Sequence, residues 1–348
     1  MSPRRLQTAV LLGILAVGLA GPGLTRYAGG EERRPRTGTV RREVDSMGTR
    51  ATLTTLDDDR ARGLATLERM LRVLEAVEGQ LSTWRLDSHL SAINRQPVGA
   101  EAPAPEPVCD LLEELLSWHQ ATGGAFDPAV GTLVAAWGLR QGGRQPAPAE
   151  LEEARRNVGL SHVLVRRGPC RITRIRGVVL DAGAFGKGAA LDRVAEGELV
   201  HGTRAWMVDL GGQVAAGGTN LEAWRVSLAH PARRREAVLD LSLRVGSLAT
   251  SGGSERDLVS EGRTLGHILD PRIGQPVSRG ETVTVWHERA LVADVLSTAL
   301  YVMGVEAGLA WAEEQGITAC FLLSDPTGGV RTRATRAFRR RFFEASGP

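Results

Sequence analysis

Between Leu64 and Leu81 apolar residues recur at helical spacing: Leu64, Leu67, Leu71, Leu74 and Leu81, with Met70, Val73 and Val77 widening the stripe. That pattern predicts an amphipathic helix with one face in a core. Before it, residues 40–56 read as strand, interrupted at Met47-Gly48-Thr49, where a Met-Gly break suggests a bulge. A polar loop around Trp84 then leads into a short helix, and the Pro- and Glu-rich run 100–107 reads as a surface loop. A second amphipathic helix is expected over 108–122, ended by Gly123-Gly124-Ala125-Phe126-Asp127-Pro128, whose Asp-Pro restricts the backbone before a short helix at 129–137. A loop at 141–149 and a polar helix at 150–158 follow. From His162 strands dominate, at 162–166, 170–174, 178–181, 205–210, 224–228, 238–243, 247–250 and 282–286, with a last helix at 289–303. The mixture reads as α+β, and no internal repeat is evident.

Candidate chemistry concentrates where the pattern is broken by glycine. Residues 178–192, V-V-L-D-A-G-A-F-G-K-G-A-A-L-D, run from an apolar strand into a helix and carry Lys187, while every other cation in the Lys+Arg total of 43 is arginine. A compact ammonium differs from an Arg fork where backbone comes close to a phosphate, and glycine-flanked helix N-termini favour anions. The plainer reading is an ordinary strand-to-helix turn. A P-loop is excluded because Asp181 and Gly188 stand where Gly and Ser/Thr are needed; the order Gly183, Gly186, Gly188 also excludes a dinucleotide fingerprint. Gly211-Gly212 form a second glycine turn after a strand, and Thr250 to Glu255 a small-residue loop. Asp294 and Thr298 stand four apart on one helix face, where a carboxylate and a hydroxyl suit a hard cation such as Mg2+; a helix cap or Asp-Arg pair is the alternative.

Composition narrows the class. Apolar residues make up 42% and charged ones 24%, the net charge is only +3, and there are two Tyr and six Phe, so a nucleic-acid partner is disfavoured. Six arginines between Arg331 and Arg341 read as a solvated final strand and tail, with contact to an anionic membrane surface as the sharper alternative. Arg4-Arg5, an apolar stretch over 8–20 and Gly21-Pro22-Gly23 read as an export segment covering residues 1–30, too short to span a bilayer that needs about 20 apolar residues. An uncleaved anchor is the alternative, twin-arginine export also fits, and the expected location is the periplasm or the outer face of the cytoplasmic membrane. Cys109, Cys170 and Cys320 are odd in number and outside C-x-x-C spacing, which argues against zinc and leaves free thiols or one bridge plus one thiol.

Ser82-Thr83-Trp84, Gly124 to Pro128, Leu180 to Asp192, Asp209 to Gly212, Thr250-Ser251-Gly252, His267-Ile268-Leu269-Asp270-Pro271 and Ala293-Asp294 through Thr298 occur in this order, and the chain resembles the ApbE-type FAD:protein FMN transferases. The resemblance implies a T-fold-related α+β domain over residues 40–340, after a linker at 31–39 and before a tail at 341–348, with two lobes around a flavin cleft. It implies that Met47, Trp84, Ala125, Phe126, Asp127, Asp181, Lys187 and Ile268 line an FAD site. Asp294, Thr298 and the carbonyl of Ala184 would hold Mg2+. His267, Lys187 and Asp294 would serve catalysis, with Asp270 as an alternative base. The implied reaction moves FMN from FAD to a Thr or Ser hydroxyl of an acceptor flavoprotein of an exported or membrane electron-transfer system, releasing AMP. An FAD pyrophosphatase and a non-catalytic flavin carrier are the alternatives. Ala189 stands where many relatives have an aromatic, as does Ser254, and neither a lipid-attachment cysteine nor an acceptor-like Asp-x-x-Thr-Gly-Ala-Thr segment is present.

Overall fold

The computed structural model describes residues 38–344 except 202, 221–222, 254–256, 261–262 and 326. The expected export segment, nearly all of the linker, Ser254 and the end of the tail lie outside the described residues. Strands β1 (Thr39–Ser46) and β2 (Thr49–Leu56) pair antiparallel with Ser46 opposite Thr49. The expected bulge is therefore a two-residue hairpin turn, with φ 52° at Met47 and 68° at Gly48. Two successive positive φ values match the right-handed twist of the strands, and the Glu78 carboxylate accepts the Met47 N–H at 3.0 Å to hold a non-glycine residue there.

Helix α1 (Arg60–Leu81) is capped by Asp59, which accepts from the Ala61 and Arg62 amides at 2.8 and 3.4 Å. Leu67, Met70, Leu71, Leu74, Val77 and Leu81 are buried, each contributing about 2 kcal/mol of transfer free energy, while Leu64 at 41% exposure falls off the stripe. After α2 (His89–Arg95), the expected surface loop contains β3 (Glu101–Pro103) and the start of α3 (Glu106–Ala121), whose first turn accommodates Pro107 because that N–H has no partner to lose. Helices α4 (Gly131–Ala136) and α5 (Pro148–Arg156) precede β4 (Val163–Arg166) and β5 (Arg171–Arg174), and β5 lies between β3 and β4 in a small sheet. Cys109 on α3 is bridged to Cys170 beside β5, and Cys320 is a buried thiol. Closing a loop of 61 residues stabilises the fold by roughly 4 kcal/mol in the chain-entropy view.

Residues 178–181, expected as a strand, join no sheet. Their backbone is satisfied elsewhere: the Asn94 side chain clasps Leu180 at 2.8 and 2.9 Å, buried Arg174 donates to the Val178 carbonyl at 2.6 Å, and Asp181 N–H reaches the Pro128 carbonyl at 2.7 Å. This strap enters α6 (Gly186–His201), which leads to β6 (Ala205–Leu210), β7 (Gln213–Gly217), the hairpin β8 (Trp224–Ala229) and β9 (Ala237–Leu243), and β10 (Gly246–Gly252). Short hairpins β11 (Leu258–Ser260) with β12 (Arg263–Leu265), and β13 (Leu269–Asp270) with β14 (Gln275–Pro276), follow. The chain closes with β15 (Glu281–His287), α7 (Ala290–Met303), α8 (Val305–Glu314), β16 (Thr318–Ser324), β17 (Val330–Ala334) and α9 (Arg336–Arg339).

An eight-stranded sheet in the order β1-β2-β6-β7-β10-β15-β16-β17, antiparallel throughout, organises the rest. Alternation along its strands divides the core: Trp206, Val208, Ala319 and Phe321 pack with α1, α6 and α7, whereas Met207, Cys320 and Leu322 face the β8–β9 hairpin and Phe338. The fold is α+β. The C-terminal arginines are largely engaged within the chain: Arg333 pairs with Glu306, Arg336 with Glu313 at 3.2 Å, and Arg341 lies 3.1 Å over the Trp286 ring.

Candidate active site

Close approach of α6 to α7 builds the floor of the site. A Cβ on Gly188 would stand 2.5 Å from the Ala290 carbonyl oxygen, so only glycine permits this crossing. The two helices exchange carboxylates. Asp192 on α6 accepts the first amides of α7, Leu291 at 3.2 Å and Ala290 more closely, while Asp294 on α7 accepts the Gly188 amide at 3.0 Å. Burial holds the Asp192 carboxyl above its usual range, with the two amides opposing. Lys187 Nζ lies 3.5 Å from the other Asp294 oxygen, and Thr298 is one turn further along α7.

A cleft of about 330 Å3 opens over this floor. That volume lies in the range of small-molecule and cofactor pockets, about 300–1,000 Å3. Ala125, Asp127, Asp181, Ala184, Lys187, His267, Ile268, Asp294 and Thr298 all line it. They come from the loop after α3, the strap, the first turn of α6, the segment before β13, and α7. Gly211 and Gly212 also line it; the glycine turn is a two-residue hairpin between β6 and β7, with φ of 59° and 89°. Asp127 is 5% exposed, and burial raises its carboxyl despite His119 Nδ1 at 3.5 Å. Asp181 accepts the Gly183 amide at 2.8 Å and Arg140 on its other oxygen, and that guanidinium also lies 4.6 Å over the Trp84 ring.

Three residues of the expected flavin site stand outside the cleft lining. Phe126 is fully buried in the main core, held by α3 and its following loop; Met47 packs beside Gly186 on that core; Trp84 is 71% exposed on the rim. Asp270, the alternative base, has both oxygens occupied by Arg272, at 2.9 and 2.8 Å. Ala189 is buried in the core, and Ser254 lies outside the described residues. Sequence reasoning missed Asp257, whose Oδ1 lies 2.8 Å from His267 Nδ1, and Arg140 and Arg234, which reach the rim and lining from loops. Ten residues separate Asp257 from His267 without any periodic signal, and an arginine in an arginine-rich chain does not draw notice.

Among the described residues no three His, Cys, Asp or Glu side chains converge as a metal cage. Asp294 and Thr298 bring one carboxylate and one hydroxyl to the cleft lining that Ala184 shares, and these hard ligands fit an ion that takes its remaining ligands from phosphate and water. An α+β scaffold with glycine turns, a lone lysine and a buried carboxylate around one cleft defines a protein suited to a phosphorylated ligand. A match to the ApbE family covers residues 47–321, and the chain belongs to that family. It is similar to the FAD:protein FMN transferase of Treponema pallidum, 32% identical with 81% of this chain and 83% of the relative covered, and to that of Vibrio cholerae, 31% identical with 74% and 79% covered. Among solved structures it resembles the apo flavinyl transferase ApbE of Pseudomonas stutzeri, with a TM-score of 0.77, 29% identity and 89% of this chain and 98% of that one covered.

Proposed function

We propose that this protein transfers FMN from FAD to a hydroxyl of an acceptor protein in a Mg2+-dependent reaction that releases AMP. The observation that carries the reading is the floor of the cleft, where buried Asp294 meets Lys187 and the Gly188 amide within a single cavity that His267 also lines. Phosphoryl transfer needs positioning and charge neutralisation more than covalent help, and these parts provide both. Asp294, Thr298 and the Ala184 carbonyl would hold Mg2+, which supplies Lewis-acid neutralisation of the pyrophosphate when bound. Lys187 places a point charge beside the same phosphates, and His267 accepts the proton of the attacking hydroxyl. The acceptor oxygen forms its bond to the FMN phosphorus, the bridging P–O bond breaks, and AMP departs with the bridging oxygen.

The acceptors are flavoprotein subunits of exported or membrane electron-transfer systems, and the enzyme works outside the cytoplasm, by export through residues 1–30. The Cys109–Cys170 bridge supports that location, because such bonds persist in oxidising compartments. No helix among the described residues is long and apolar enough to cross a membrane. The test incubates the purified chain with FAD, Mg2+ and a Thr-bearing acceptor domain and reads intact masses. An FMN adduct with AMP released is expected. Free FMN and AMP without adduct would replace the transferase by a pyrophosphatase, and intact bound FAD by a carrier.

A further inference from the structure

We propose that Asp257 is a positioning residue for His267: its carboxylate fixes the imidazole with the proton on Nδ1, so that Nε2 is left as the proton acceptor of the transfer. The inference rests on the proposed function for what Nε2 does, but the geometry stands by itself. Asp257 Oδ1 lies 2.8 Å from His267 Nδ1 and also accepts the His267 backbone N–H at 3.1 Å. One oxygen thus grips the ring and the main chain of the same residue, which restricts both χ1 and the ring flip. The burial gradient has the matching direction: the Asp257 side chain is 12% exposed and that of His267 28%, and His267 lines the cleft while Asp257 does not. A carboxylate behind an imidazole, with the imidazole facing the reacting atoms, is the arrangement that selects one tautomer in hydrolytic triads and metal sites.

The neighbouring chain makes room for the acid. Gly253 approaches so closely that a Cβ there would stand 2.9 Å from Asp257 Oδ2. Asp257 also acts electrostatically on Tyr301 of α7, as does Glu281 at the start of β15. Burial, and behind it the Asp257 and Glu281 carboxylates, push the Tyr301 phenol up, so the charged groups near it are Arg279, Glu281 and Asp257 itself. On the cleft side His267 shares its cavity with Lys187, Arg234, Asp127, Asp181 and Asp294. Among the described residues, the Asp257 carboxylate is in direct contact with the ring. In the step itself the acceptor hydroxyl gives its proton to Nε2 as its oxygen bonds to the FMN phosphorus; AMP carries away the electron pair of the broken P–O bond, and the imidazole later returns the proton to solvent.

The test uses the full chain labelled with 15N-histidine and two substitutions, Asp257→Asn and His267→Ala. With the ring neutral, wild-type His267 is expected as the Nδ1–H tautomer, and Asp257→Asn moves it toward Nε2–H, since an amide can donate to Nδ1 where a carboxylate cannot. With FAD, Mg2+ and the acceptor domain, Asp257→Asn should lower kcat by about 10- to 100-fold while KM for FAD stays put, and the same change in a His267→Ala background should cost nothing further. An identical tautomer in wild type and Asp257→Asn overturns the proposal, as does an equal loss with and without His267. If wild type transfers no FMN at all, the functional reading fails, and the tautomer measurement still decides this one.

Discussion

The cleft has a floor and a rim built on different principles. On the floor, α6 and α7 each cap a carboxylate of the other: Asp192 takes the Ala290 and Leu291 amides and Asp294 takes the Gly188 amide. On the rim, Arg140 joins Thr83, Asp181 and the exposed Trp84 ring through side-chain contacts alone, with no backbone amide involved. A backbone amide cannot change partner without moving its helix, whereas an exposed guanidinium does so at little cost, since such pairs contribute about 0–1 kcal/mol. The floor is a fixed receptor for charge, and the rim is free to exchange partners when a ligand arrives.

That contrast predicts unequal responses. Asp294→Ala should lower FMN transfer by about 10²–10³-fold in the mass assay, and adding EDTA to wild type should have a comparable effect with the fold retained by circular dichroism. Wild-type turnover in either case would remove Asp294 from the metal site. Gly188→Ala comes next: a Cβ 2.5 Å from the Ala290 oxygen must force the helices apart, costing about 1–3 kcal/mol, seen as a lower Tm with reduced transfer. An unchanged Tm would mean the crossing is softer than described.

A smaller effect concerns Asp127. Because burial holds its carboxyl above the ordinary 3.8, the folded chain retains a proton between 3.8 and the raised value that the unfolded chain has lost, so stability falls as pH rises through that window. Asp127→Asn avoids that charge, and its Tm relative to wild type should rise as pH climbs from 3.8 through the raised value. A gap that stays constant or narrows would show the His119 contact to outweigh burial. Smallest of all, Arg140→Ala should leave Tm within experimental scatter, as surface substitutions fall within about ±0.5 kcal/mol, while changing KM for FAD by a few fold. A large Tm loss there would break the distinction between rim and floor.

Much of the helical layer was legible in the sequence. The stripe from Leu67 to Leu81 and the helix carrying Asp294 and Thr298 both follow from local periodicity, which requires only a core somewhere on one side. The glycine-flanked Lys187 also stood out, because composition and turn chemistry are local. Two readings failed for a shared reason. The Met47-Gly48 break is a hairpin turn, and residues 178–181 join no sheet. In both the backbone is held by a group far along the chain, Glu78 for Met47 and Asn94 for Leu180, and no window of local sequence contains that partner.

By itself the sequence determined the periodicities, the turn glycines, the solitary lysine and the order of polar clusters, since these are properties of short windows and of composition. Tertiary structure alone decided that Gly188 lets Asp294 meet Lys187, that Asp257 stands behind His267, and which of two neighbours, Ala125 or Phe126, faces the cleft. The reason is that burial and hydrogen-bond partners are set by which elements pack together, and packing joins residues separated by up to a hundred positions or more.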